Sequence, residues 1–292
     1  MSGSRPSQTA SLPLEFGNAA LAALEGSSKQ SLFQDCEYGD HVRQRMDVYA
    51  PRVERSGVLR PTMLFLYGGG WTGGAKANYA FVGTALARLG FVTAVADYRL
   101  HPDVTFPAFI EDSALALAWL SRRACDFGGR SDGIVVAGHS AGAHLAMLLA
   151  LNPRYLAAAG LGRETVGGVV GLSGPYDFYP YPNDLCRDVF GAVEPAYEVQ
   201  PINFAEYGAF PVILASGGRD KIVPAANSFS MANARRKAQR RCFHLHSAAI
   251  GPAGPLLALT RPFQRLLSPL RQRLTHLRQS LEIPGLRHAL RL

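Results

Sequence analysis

The stretch Ile134-Val135-Val136-Ala137-Gly138-His139-Ser140-Ala141-Gly142-Ala143-His144-Leu145-Ala146 decides the fold. A short apolar run rich in β-branched residues meets Gly-x-Ser-x-Gly and passes into small residues at helical spacing. That order reads as strand, sharp turn and helix, the nucleophile elbow. Gly138 and Gly142 let strand and helix pass closely around Ser140, whose hydroxyl is thereby presented at the top of a sheet. The amide of Ala141 then opens a helix, where the macrodipole and free N–H groups favour an oxyanion.

Working outward, Pro61 opens a nearly continuous apolar run from Thr62 to Tyr67, suited to a sheet centre. It ends in Tyr67-Gly68-Gly69-Gly70-Trp71. Three glycines at a strand end cost entropy and fit a loop whose backbone approaches something closely or takes positive φ. The amides of Gly69 and Gly70 are the candidates to join that of Ala141 around a developing negative charge. A helix is expected over 76–89, a buried strand over 91–96 closing on Asp97-Tyr98-Arg99, and a helix over 109–123. Beyond the elbow helix, the pattern predicts strands over 166–172, 210–216 and 242–246, with a helix over 226–238. Residues 178–208, with Pro180, Pro182, Pro195 and Pro201 among aromatics and acids, read as an irregular insertion that shapes a pocket. Residues 43–51 alternate apolar and polar like a half-buried antiparallel strand, and Leu14 to Leu24 fits a short amphipathic helix. Strands alternating with helices point to an α/β fold with a mostly parallel sheet covered on both faces.

The chain has 292 residues, 48% hydrophobic and 18% charged, which fits one large α/β domain. An N-terminal extension over 1–37, a catalytic domain over 38–254 and a basic helical tail over 255–292 are expected. No stretch approaches a transmembrane span, and the polar start lacks the apolar core of a signal peptide, so a cytoplasmic location is expected. Cys36, Cys125, Cys186 and Cys242 are scattered without metal-ligand spacing, and no metal is expected. The net charge of +8 is uneven: residues 235–292 carry 12 Lys/Arg against a single acid, while residues 1–234 carry 18 against 21. Without a recognised motif or interleaved aromatics, that charge does not predict nucleic-acid binding.

Taken together, Tyr67 to Trp71, Asp97 to Arg99, the elbow, Leu172-Ser173-Gly174 and Asp220 with Val223-Pro224 resemble the α/β-hydrolase superfamily. Within it the chain resembles small serine esterases of the acetyl-esterase, feruloyl-esterase-like and kynurenine-formamidase group. The resemblance implies a Ser-Asp-His triad without a cofactor: Ser140 as nucleophile, Asp220 as the acid, and a histidine in the loop after the last strand. It implies a carboxylester hydrolase for small acyl esters, with arylformamides as further substrates. The sequence departs from the pattern where Gly251-Pro252-Ala253-Gly254 stands in place of Gly-His-x-Gly. Proline cannot accept a proton from serine. His246, nearest the end of the last strand, is the substitute base, with His244 read as a packed histidine. His139 and His144 on the elbow are weaker candidates, Asp177 is an alternative acid, and Ser173 is a turn residue. Tyr67 replaces the histidine usual before the glycines, a position that braces the loop. If no base is present, a catalytically inactive binding module with a basic tail is the alternative reading.

Leu270, Leu274, Leu277 and Leu281 recur at helical spacing with arginines between them. They fit a terminal helix docked on the sheet, or a basic amphipathic helix on an acidic membrane. A local reading-frame change over 235–252 would instead raise the arginine content and erase the loop histidine together.

Overall fold

A computed structural model of the chain describes residues 20–21, 30–52 and 57–282. The helix expected over Leu14 to Leu24 lies outside the described residues except for Ala20 and Leu21, which are helical. Strands β1 (Gln30–Glu37), β2 (Arg45–Pro51), β3 (Thr62–Leu66), β4 (Val92–Ala96), β5 (Ile134–His139), β6 (Val166–Leu172), β7 (Val212–Gly217) and β8 (Cys242–Ser247) form one sheet. Its order is β1-β2-β4-β3-β5-β6-β7-β8. The first two strands join antiparallel, and every pairing from β4 to β8 is parallel. Helices α1 (Ala80–Arg88), α2 (Ala108–Arg123) and α3 (Ala141–Leu151) follow the central strands, and α6 (Ala226–Lys237) follows β7. Short helices α4 (Pro153–Ala158), α5 (Asp184–Phe190) and α7 (Gly254–Leu257) lie between them, and α8 (Pro269–Glu282) ends the described chain.

Every residue of β3, β4 and β5 is buried, because parallel strands at a sheet centre are covered by helices on both faces. Helix α3 is buried along its whole length, as its all-round apolar sequence requires. At the other extreme, β1 is mostly exposed. It belongs to the sheet although residues 1–37 read as an extension. An edge strand wet on both faces has no hydrophobic alternation to betray it. The insertion over 178–208 holds α5 and two short 3-10 turns, and is tied down by amides. Gln200 Oε1 accepts from the Phe178 amide at 2.8 Å, and Asn227 Oδ1 accepts from those of Tyr176 and Asp177 at 2.9 Å each.

The described part of the basic C-terminal segment, up to Glu282, is packed. Leu270, Leu274, Leu277 and Leu281 are buried on one side of α8, so the apolar stripe that a membrane would need already faces the domain. Arg273 lies over the Phe243 ring at 4.3 Å, and Arg271 donates to the Leu259 carbonyl. The arginine run at the end of α6 is not a uniform surface patch either. Arg235 is wholly buried, and its guanidinium donates to the carbonyls of Ala205, Tyr207, Gly208 and Phe210. Loss of hydration lowers its pKa to about 10, leaving it charged at neutral pH.

Because Leu274 is fully buried, Leu274→Ala should lower stability by about 2–5 kcal/mol in urea unfolding. An unchanged midpoint would show that α8 is not part of the folded core.

Candidate active site

Strand β5 ends at His139, and Ser140 turns the chain into α3 with φ 52° and ψ −122°. A positive φ at a non-glycine residue is a strained conformation that persists only where its surroundings impose it. Here backbone contact imposes it. A Cβ on Gly142 would sit 2.1 Å from the Leu66 carbonyl oxygen, and one on Gly138 would sit 2.2 Å from that of Gly142. The start of α3 is thus pressed against the end of β3, and only glycine fits there.

The loop after β3 folds back on the same point. A Cβ on Gly68 would lie 3.0 Å from Ser140 Cβ, so loop and elbow are in contact. Gly69, Gly70 and Trp71 take φ of 146°, 61° and 61°. Gly69 O accepts the amides of Thr72 and Gly73 at 3.1 Å each, closing the turn. Among the described residues the amides of Gly69, Gly70 and Ala141 donate to no backbone or side-chain group. Free amides at a helix start and an adjacent glycine turn are the raw material of an anion site.

Tyr67 holds that turn from below. Its ring stacks between Tyr79 and Tyr98, at 5.4 and 4.8 Å between centroids. Its hydroxyl accepts from Arg43 at 2.7 Å, and burial raises the phenol far above its ordinary pKa, keeping it neutral. Arg43 also donates to the Gly74 and Tyr98 carbonyls, and the Tyr98 hydroxyl donates to Tyr67 O. Sequence reading missed Arg43. It lies 24 residues from Tyr67, and nothing in the spacing links the two.

Asp220 follows β7 and is buried. Its Oδ1 accepts the amides of Ile222 and Val223 at 3.0 and 2.9 Å, while its Oδ2 has no partner. Asp177, the alternative acid, is exposed. The segment after β8 is bound to the Asp220 turn, because Arg219 N donates to Ile250 O at 3.0 Å and Gly218 N to Ser247 O at 2.9 Å. From there it reaches the elbow: Pro252 O lies 3.2 Å from His139 Nε2, which must carry the proton of that bond. Residue 252 therefore stands between the Asp220 turn and the elbow, and its side chain is a pyrrolidine ring.

His246 does not join this group. Its Nδ1 lies 3.1 Å from Ser216 Oγ, and its ring lies 5.2 Å from that of Phe229 on α6. In the register of β7 and β8, His246 faces Ser216. The pleat then fixes its side chain beside that serine rather than beside Ser140 or Asp220. His244 shares the face, with Nε2 at 2.8 Å from the same oxygen. His144 is buried among Trp71, Phe178 and Phe190, with Nε2 donating to Val199 O at 2.8 Å. His139 is buried with Nδ1 unpartnered. Ser173 is also buried, at φ 50°. Among the described residues no imidazole is hydrogen-bonded to the Ser140 hydroxyl.

Strand order, crossover helices and elbow define an α/β-hydrolase fold. Residues 46–234 match the BD-FAE family, and the chain belongs to it. Among curated relatives, esterase LipC of Mycobacterium tuberculosis is 31% identical over 222 residues, covering 70% of this chain and 55% of LipC. A probable isoprenylcysteine alpha-carbonyl methylesterase of Oryza sativa subsp. japonica, ICMEL1, is 33% identical over 146 residues, 48% of this chain and 34% of that protein. The chain thus spans about half the length of LipC and a third of ICMEL1. An esterase from Pyrobaculum calidifontis superposes with a TM-score of 0.73 at 21% identity, covering 96% of this chain and 95% of that one. A truncated carbohydrate esterase from gut microbiota gives 0.71 at 19%, covering 86% and 98%. At these identities the solved structures speak for the fold.

Burial pushes the His144 pKa down to about 4 and lowers that of His139 against the partial support of Pro252 O and Asp220. Both should appear in an NMR pH titration as imidazoles with midpoints below 6.5. For such groups the unfolded chain binds the extra proton. Their contribution to stability is therefore complete above about pH 6.5 and is lost as pH drops toward the folded-state value, about 4 for His144. A midpoint at or above the ordinary value would show that the ring is open to water.

Proposed function

We propose that the chain is a serine carboxylester hydrolase for small acyl esters, working through an acyl-enzyme on Ser140. The observation that carries this is the strained Ser140 between β5 and α3, pressed against a glycine turn with unused amides. Ser140 Oγ attacks the ester carbonyl. The amides of Gly69, Gly70 and Ala141 receive the negative charge that develops on its oxygen; the intermediate collapses with cleavage of the ester C–O bond, the serine proton passing through solvent to the departing alcohol, and water then hydrolyses the acyl-serine to release the acid and restore the Ser140 hydroxyl. Asp220 is the triad's acid: two backbone amides fix one carboxylate oxygen, and the other is left without a partner in the protein. Relatives named as esterases and as methylesterases support an ester with a small alcohol or acyl portion. An arylformamide presents a similar small carbonyl and is a second substrate class.

The proposed site is incomplete at its base. An unassisted serine hydroxyl is a weak nucleophile at neutral pH, and Pro252 stands where the loop would deliver an imidazole. Catalysis should then fall to what binding and the oxyanion site supply, roughly a thousandfold to ten-thousandfold over water. Pro252 is also the observation that favours a second reading, a hydrolase fold retained for binding a small carbonyl ligand without turnover.

A fluorophosphonate probe should label Ser140 slowly, and Ser140→Ala should abolish labelling without altering the fold. Labelling that survives the substitution would remove the nucleophile. Pro252→His should raise kcat for a small activated ester by at least about a hundredfold. His246→Ala should leave the rate unchanged, and loss of activity in that variant would return the base to His246. Replacing Gly70, at φ 61°, with Val should lower kcat of the Pro252→His protein by about a hundredfold, the scale of one lost oxyanion donor. Full activity would make the loop a mere connection.

A further inference from the structure

The two histidines of β8 converge on one point. His244 Nε2 lies 2.8 Å and His246 Nδ1 3.1 Å from the same Ser216 Oγ. Residues two apart on a strand share a face, and the parallel pairing of β8 with β7 sets Ser216 opposite His246 on that face. Phe229 of α6 packs on both rings, at 4.5 and 5.2 Å between centroids, and limits their rotation.

From this geometry we infer that the face of β7 and β8 beside α6 binds a divalent transition-metal ion of the zinc type, through His244 Nε2 and His246 Nδ1. The hydroxyl of Ser216 stands beside the ion, and water completes the shell. One hydroxyl proton can serve only one of the two nitrogens, so Ser216 donates to one ring and accepts from the other. An ion at about 2.0–2.1 Å from each nitrogen replaces both bonds.

The chemistry suits the ion. A metal-binding imidazole must be neutral. Partial burial of His244 disfavours a charged ring there. His246 is exposed, which gives the ion a route from solvent and lets the ring adjust by a small rotation. Among the described residues no third His, Cys, Asp or Glu joins the pair, so affinity rests on two imidazoles. This places the site below a structural zinc centre in strength. The ion would tie the edge strand β8 to β7. The inference is independent of the ester chemistry, which uses neither histidine.

Zinc chloride titrated into the untagged chain at neutral pH, followed by calorimetry, should show one saturable site in the micromolar range. His246→Gln and His244→Gln should each weaken it by at least about tenfold, since even outer-shell partners of a metal site are worth that much. Because His246 is exposed, His246→Gln should keep the melting temperature of the metal-free protein, so its loss of zinc cannot be laid to misfolding. Copper(II) added to the same chain should give an electron paramagnetic resonance spectrum with two imidazole nitrogens. Absence of saturable binding below millimolar zinc, unchanged affinity in His246→Gln, or a spectrum with a single nitrogen would each overturn the site.

Discussion

The contact between the start of α3 and the end of β3 governs the rest of the structure. The Leu66 carbonyl lies so close to Gly142 that no side chain fits between them, and the Gly142 carbonyl blocks the same space at Gly138. Once strand and helix meet at that distance, Ser140 has no relaxed conformation and is held at positive φ. The strain is supported by the core around it, because β3, β5 and α3 are all fully buried. Closeness at this junction also sets the loop after β3 against the elbow. The strained serine, the glycine turn and the helix start are three consequences of one packing constraint.

The second feature is a polar shortfall. Asp220 spends one carboxylate oxygen on two amides and leaves the other unpartnered in a buried position. Buried polar atoms without partners are rare and call for an explanation. Past this turn the chain runs through Pro252, which has no side-chain donor, and the Pro252 carbonyl lies 3.2 Å from His139 Nε2. The carbonyl is not idle: it engages the histidine beside the serine and keeps the loop docked.

The central strands, the elbow and the order of helices were legible because burial on both faces writes continuous apolar runs into β3, β4 and β5, and because Gly-x-Ser-x-Gly joined a strand to a helix. Leucines four and three residues apart marked α8, although only packing shows that they face the domain. Strand β1 escaped notice since exposure erases periodicity. The position of His246 was illegible for another reason. Its distance from the strand end pointed to the site, but the pairing register with β7 turns it toward Ser216. Arg43 and Arg235 act through contacts 24 to 55 and 25 to 30 residues away in the chain, which no local pattern records. Nothing in the basic composition of residues 235–292 marks Arg235 as a buried clasp on four carbonyls.

The central claim is an intact elbow without a general base, and the pH dependence of Ser140 phosphonylation tests it most directly. A serine served by an imidazole reacts along a sigmoid with an inflection between about pH 5 and 8, where the ring loses its proton. Without that ring the nucleophile is the small alkoxide fraction of the hydroxyl, and the rate rises with pH without levelling near neutrality. The account predicts the second profile for the natural chain and the first for Pro252→His. An inflection near pH 6 to 7 in the unmodified protein would contradict it.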